Sequence, residues 1–177
     1  MSAERPTRAT AGGRAYLELQ KLARETGRPT PEILQLYALE CFVARIPRSV
    51  HARKLILKGG LLLAAFSACR PTQDVDLAAS GLSADTHDVL ALVNEVVDMP
   101  ADDGVTFDTF AATAEFIREE ATYRAVRVSM PARLSSAKLV VKVDVSVGDP
   151  NSPAATSVEI PRLLGGTGFG GMLLLLG

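Results

Sequence analysis

Along this chain the apolar positions recur first at helical spacing and then, past residue 104, at a spacing of two. Over residues 14–26, Tyr16, Leu17, Leu19 and Leu22 form a loose apolar face, which predicts a helix ended by Gly27. A second helix is expected to open at Pro31 with Thr30 as its N-cap. Its apolar set, Ile33, Leu34, Leu36, Tyr37, Leu39, Phe42 and Val43, is wide enough for the helix to be mostly buried. The run 55–57 before Gly59-Gly60 reads as a strand leading into a short buried helix over residues 61–68. Residues 83–98 predict a further helix, with Val89, Leu90, Leu92, Val93 and Val96 apolar and Pro100 beyond its end. Ala101-Asp102-Asp103-Gly104 is a turn signal. Strands are then expected over 105–107, 114–118, 123–130 and 138–147. The last is the cleanest: Leu139, Val141, Val143, Val145 and Val147 share one face, and Val140, Lys142, Asp144 and Ser146 share the other.

The chemistry concentrates between Leu55 and Ala78. Asp74 and Asp76 flank Val75 and are followed by Leu77, a strand-like alternation. Both carboxylates then project from one face, about 6–7 Å apart at their roots. Two acids that close repel each other unless a cation sits between them. Oxygen-only ligands on a short strand suit Mg²⁺, which takes one or two carboxylates, waters and substrate phosphates. Upstream, Gly59-Gly60 lets backbone approach a triphosphate and lets a helix N-terminus face it. The competing readings are structural: a solvated strand pair for the acids and a tight turn for the glycines.

Gly59-Gly60 followed by Asp74-Val75-Asp76 resembles the Gly-Gly/Ser … Asp-x-Asp signature of the nucleotidyltransferase superfamily. The longer string, LKGG…RPTQDVDL, resembles the AbiEii/AbiGii toxin family of nucleotidyltransferases, which includes the mycobacterial Men toxins. Members similarly carry a helix that ends in an Arg-rich turn before the Lys-Gly-Gly strand, and ARIPRSVHARK matches that arrangement. The strand carrying Asp144, followed by Gly148-Asp149, is similar to the family's Asp-containing strand, which makes Asp144 the candidate third carboxylate. The likeness extends over about residues 36–164.

The resemblance implies an α/β (α+β) nucleotidyltransferase-like fold, a small mixed, twisted sheet carrying the acids with helices packed around it. Asp74, Asp76 and Asp144 would hold Mg²⁺, with Asp144 also helping to activate the incoming hydroxyl. Lys58, Gly59, Gly60, Arg70 and Thr72 are the nucleotide-binding candidates. For Lys58 and Arg70 a surface charge or a carboxylate partner is the competing role, and for Thr72 a turn cap. The activity implied is that of a toxin in a toxin–antitoxin pair, moving a nucleotide from an NTP to a tRNA 3′ end and blocking translation. A cognate antitoxin is the implied protein partner. The alternative is an inactive, truncated relative that only binds nucleotide or a partner.

Charge adds an asymmetry that the net value of -1 conceals. Through Lys54 ten Lys/Arg stand against five Asp/Glu, a balance of +5. From Asp74 to Glu120 twelve acids stand against Arg118 alone, a balance of -11. The basic part suits RNA phosphates and the acidic part a metal-holding region; solvated helix faces are the plain alternative. Arg118, Arg124 and Arg127 could line an RNA or triphosphate path, but cross-strand pairing with Glu119 or Glu120 is the favoured reading. Cys41 and Cys69 lack metal or redox spacing and read as small buried residues. His51 and His87 are isolated and read as surface residues. With no signal-peptide pattern and no apolar run of membrane length, a cytoplasmic protein that avoids membranes is expected.

The domain plan that follows is a disordered segment 1–12, a nucleotidyltransferase domain 13–164 and an atypical Gly/Leu tail 165–177. The tail, GGTGFGGMLLLLG, resembles a truncated or frameshifted end more than a structural element. Relatives usually continue there into helices, one of which carries a lysine used in nucleotide handling. Gly166, Gly168 and Gly171 match G-x-G-x-x-G, but no helix follows to receive a pyrophosphate, so a dinucleotide site is rejected. Poor stability or self-association is expected where missing helices would leave faces uncovered.

Overall fold

A computed structural model describes residues 4–58, 65, 68, 72–118, 124–147, 156–166 and 168–174. The first helix, α1 (Ala11–Thr26), starts three residues earlier than the apolar period indicates, inside the segment expected to be disordered. Thr10 caps it by accepting the Gly13 N–H at 3.0 Å, and Gly27 ends it in the left-handed region. The Gly12-Gly13 pair is therefore not a breaker. A Cβ at Gly13 would lie 1.8 Å from the Thr7 carbonyl oxygen, so only glycine allows the preceding chain to fold back on this turn.

The second helix, α2 (Thr30–Arg45), has 11 buried residues, including all seven apolar positions named from its sequence. Each fully buried Leu, Ile or Phe contributes roughly 1.5–3 kcal/mol, which makes α2 the centre of the core. Thr30 is its first residue and not its cap: the Pro29 carbonyl accepts from the N–H groups of Glu32 and Ile33 at 3.1 and 3.4 Å. A 3₁₀ turn, Ile46–Arg48, then leads toward β1 (Leu55–Lys58). Strand β2 (Asp74–Ala79) carries the paired acids. The third described helix, α3 (Thr86–Val97), is capped by Asp85, whose side chain accepts from the His87 N–H, and it buries Val89, Leu92, Val93 and Val96. Of the short helix expected over 61–68, Ala65 and Ala68 are helical, and the rest lies outside the described residues.

The later strands are β3 (Val105–Phe107), β4 (Thr113–Arg118), β5 (Arg124–Leu134), β6 (Ala137–Val147), β7 (Thr156–Ile160) and β8 (Phe169–Leu174). The described strands form one mixed sheet in the order β3-β5-β6-β2-β1-β8-β7, with β4 also beside β5. Pairing is parallel between β2 and β6 and between β1 and β8, and antiparallel elsewhere. Val75 and Leu77 of β2, Val126, Val128 and Met130 of β5, and Val141, Val143 and Val145 of β6 join the helices in one core. Strand β5 runs on through Pro131, beyond the boundary expected at Met130. In an antiparallel strand a residue's N and O face the same neighbour. The Pro131 oxygen accepts from Asp108 N–H at 2.8 Å, on the edge where β3 and β4 are interrupted. The missing N–H therefore costs no bond to β6.

Within the glycine-rich tail, where no structural element is expected from the sequence, Phe169–Leu174 form a strand. Strand β8 lies inside the sheet between β1 and β7, with Leu57 opposite Leu173 and Lys58 opposite Leu174. Pairing with two neighbours, and not intrinsic propensity, makes this segment a strand.

The link between β7 and β8 is tied to the core by Glu40, which is 1% exposed and accepts the Leu163 N–H at 2.8 Å. Burial pushes the Glu40 pKa up to about 7, opposed by that N–H and by the charge of Arg162. The fold thus favours the protonated acid. Its stabilisation is fully present below the ordinary carboxylate value of 4.5 and is lost as pH rises through about 7. Glu40→Gln, a neutral isostere that still accepts from Leu163, is expected to flatten this dependence. At pH 8 it should be the more stable chain by about 2–3 kcal/mol, with near equality at pH 4.5. Urea melts across that range check it; equal slopes in both chains would assign the dependence to another group.

Candidate active site

Strand alternation sends Val75 and Leu77 into the core and leaves Asp74 and Asp76 on the opposite face. Parallel pairing then sets Asp76 beside Asp144 and Asp74 beside Lys142. Neighbouring strands lie about 4.8 Å apart, so three carboxylates proposed from the sequence share one patch of one face. Antiparallel pairing of β5 with β6 puts Arg127 beside Asp144, and pairing of β4 with β5 puts Glu115 beside Arg127. A row of charged side chains, Glu115, Arg127, Asp144 and Asp76, thus crosses four strands.

Arg127 is the ion-pair partner at the centre of this row. Its Nε donates to Asp144 Oδ1 and its Nη2 to Asp144 Oδ2, both at 2.8 Å. The same Nη2 reaches Asp74 Oδ2 at 3.4 Å. These hydrogen bonds from the guanidinium to Asp144 raise the Arg127 pKa above its ordinary value, against the opposing effect of desolvation. Among the described residues the partners of Arg127 are two of the three candidate metal ligands; the pairing expected from the sequence is with Glu119 or Glu120. Those two glutamates lie outside the described residues.

Lys58, at the end of β1, donates to Ser146 Oγ at 2.8 Å. The β1–β2 register carried one residue past Leu57–Leu77 sets Lys58 across from Asp76. The Thr72 hydroxyl makes only a 3.5 Å contact to the Asp74 carbonyl. It also lines a cavity of about 420 Å³ with Glu32, Gln35, Gln73 and Lys142. Gly59, Gly60 and Arg70 lie outside the described residues. His87 is exposed, and His51 pairs with Glu95 at 2.7 Å away from the acids. Cys41 is a free, buried thiol whose pKa burial pushes up, as expected of a core residue; Cys69 lies outside the described residues.

A model for nucleotidyl transferase AbiEii toxins of type IV toxin–antitoxin systems matches residues 41–174. The chain belongs to the AbiEii family. The matched span contains all three acids, Arg127, and both β7 and the tail strand β8. No curated protein matches the sequence. Among solved structures, JHP933 from Helicobacter pylori is similar at 12% identity and a TM-score of 0.43, covering 90% of this chain and 51% of that one. The crystal structure of a candidate nucleotidyltransferase from H. pylori is similar at 12% identity and a TM-score of 0.39, covering 87% of this chain and 52% of that one. The chain spans about half the length of both.

As a donor set, three carboxylates on one half-open face suit a hard divalent cation such as Mg²⁺. In this structure no three His, Cys, Asp or Glu side chains among the described residues converge closely enough to hold one. What the sequence left unconnected are the cross-strand neighbours: Arg127 beside Asp144, Lys142 beside Asp74, Ser146 with Lys58, and Glu115 beside Arg127. Each lies on the acid-bearing face of its strand, a signal present in the alternation but usable only once strand order is known. Among the described residues no helix is long and apolar enough to cross a membrane.

Proposed function

We propose that this chain transfers a nucleotide from an NTP to the 3′ end of tRNA, as the toxin of a cytoplasmic toxin–antitoxin pair with a cognate antitoxin. The observation that carries the reading is the register of β2 with β6, which sets Asp76 beside Asp144 with Asp74 on the same face. In the reaction an acceptor hydroxyl attacks the α-phosphorus and pyrophosphate leaves. Asp144 receives the hydroxyl proton or orients that hydroxyl. Mg²⁺ held by Asp74, Asp76 and Asp144 would supply the positive charge that the phosphates require. Lys58 adds a cation at the same face, with Gly59, Gly60 and Arg70 as further phosphate contacts and Thr72 at the wall of the neighbouring cavity. That cavity, about 420 Å³, has room for a nucleobase beside Lys142. The basic balance of the first 54 residues favours an RNA acceptor.

The test is incubation of the purified chain with tRNA, Mg²⁺ and each α-labelled NTP in turn. Label on the tRNA 3′ end is the expected result. No label with any NTP, from a chain shown to be folded by its cooperative melt, would leave a module that only binds nucleotide or a partner.

A further inference from the structure

The proposed reaction leaves Arg127 without a part, although it bonds two of the candidate metal ligands. We propose that Arg127 is the resident counter-cation of the carboxylate cluster, which a divalent cation must displace, so that it sets the cation concentration at which the site loads. This rests on the reading that these acids hold a divalent cation.

Four observations support the displacement. The guanidinium takes both oxygens of Asp144 at 2.8 Å and touches Asp74 at 3.4 Å, so it occupies the donor atoms a metal would use. A divalent ion bound beside it would bring like charges within a few ångströms on a half-open face, and one of them has to leave. The pair is also accessible enough to open: the side chains of Arg127, Asp144 and Asp74 are 29%, 16% and 37% exposed. Water can therefore receive the released guanidinium, unlike that of a deeply buried pair. Finally, Glu115 stands in register with Arg127 on the side away from Asp144. It is exposed and offers the released guanidinium a second carboxylate on the same face. Arg127 thus has two positions, one across β6 and β2 that holds the acids apart from a metal and one toward β4 that leaves them available.

The experiment is Mn²⁺ titration of the full chain by calorimetry, on wild type, Arg127→Met, Arg127→Lys and Asp76→Asn. Arg127→Met is expected to bind Mn²⁺ at least tenfold more tightly than wild type. Arg127→Lys should fall between them, because an ammonium cannot take both carboxylate oxygens in the forked geometry. Equal or weaker binding by Arg127→Met would overturn the proposal and make Arg127 a residue that positions Asp144 for the metal. In that event Mn²⁺ binding by wild type, lost in Asp76→Asn, still upholds the divalent site. Absence of Mn²⁺ binding in every chain overturns both. A second readout needs no variant: the Arg127 Nε–H signal of wild type in NMR should lose its protection from solvent exchange when Mg²⁺ saturates the site. A signal that stays protected at saturation overturns the displacement.

Discussion

Asp76→Asn is expected to lower nucleotide transfer to tRNA by roughly 10²–10³-fold, the loss typical of removing one preorganised charge contact from a reacting centre. The change keeps the size and shape of the side chain and removes its charge. Asp76 is the middle acid, beside Asp144 across the sheet and two residues from Asp74 along its own strand. It is exposed and faces away from the core, so its replacement opens no cavity and should cost the fold less than a core substitution. Relief of carboxylate repulsion acts in the stabilising direction. Initial rates with labelled NTP and tRNA, beside a urea melt of the same preparation, separate the two effects. Transfer within threefold of wild type would remove Asp76 from the site; a large loss of stability would make any loss of transfer uninformative about chemistry.

The parts of this site that are legible from sequence are those fixed by one segment alone. Asp74 and Asp76 share a face because alternation is a property of a single strand, and the valines of β6 assign Asp144 to its polar face in the same way. The parallel register that brings Asp76 beside Asp144 is different, because it depends on which strands are neighbours. Arg127 shows the cost of lacking that information. Its guanidinium bonds an acid 17 residues later in the chain and another 53 residues earlier, and neither is indicated by the segment that carries it. Helix α2 is legible because its apolar positions run nearly all round it, yet the same hydrophobicity hides Glu40 and Arg45, whose buried partners lie far away in sequence. The Gly/Leu tail misleads for a related reason. Gly170 and Gly171 have little strand propensity, and β8 exists through its pairing with β1 and β7.

Asp103→Ala is expected to destabilise the chain by about 3–5 kcal/mol, the range for removing one partner of a buried ion pair. The Arg45 side chain is 4% exposed and that of Asp103 13% exposed, with Nη1 to Oδ2 at 2.7 Å and Nη2 to Oδ1 at 3.3 Å. Arg45 also donates to the carbonyls of Cys41 at 2.7 Å and Met99 at 3.2 Å, and its guanidinium lies 4.9 Å from the Phe107 ring centre. Asp103 Oδ1 in turn accepts from Val105 N–H at 3.0 Å, and the Asp103 carbonyl accepts from the Tyr37 hydroxyl at 2.8 Å. This pair fastens α2 to the turn that precedes β3, on the core side of the sheet. Alanine would leave the guanidinium buried without a counter-ion and the Val105 N–H without its acceptor. Asp103→Asn keeps an acceptor for Val105 and loses the charge, so a smaller cost is expected. The double variant Arg45→Met/Asp103→Leu should cost less than the sum of the single changes, because an apolar pair strands no charge. Urea unfolding of the two single variants and the double measures that coupling. A loss below about 1 kcal/mol in Asp103→Ala would mean that water reaches Arg45, and that its packing on Phe107, not the ion pair, holds α2 to the turn.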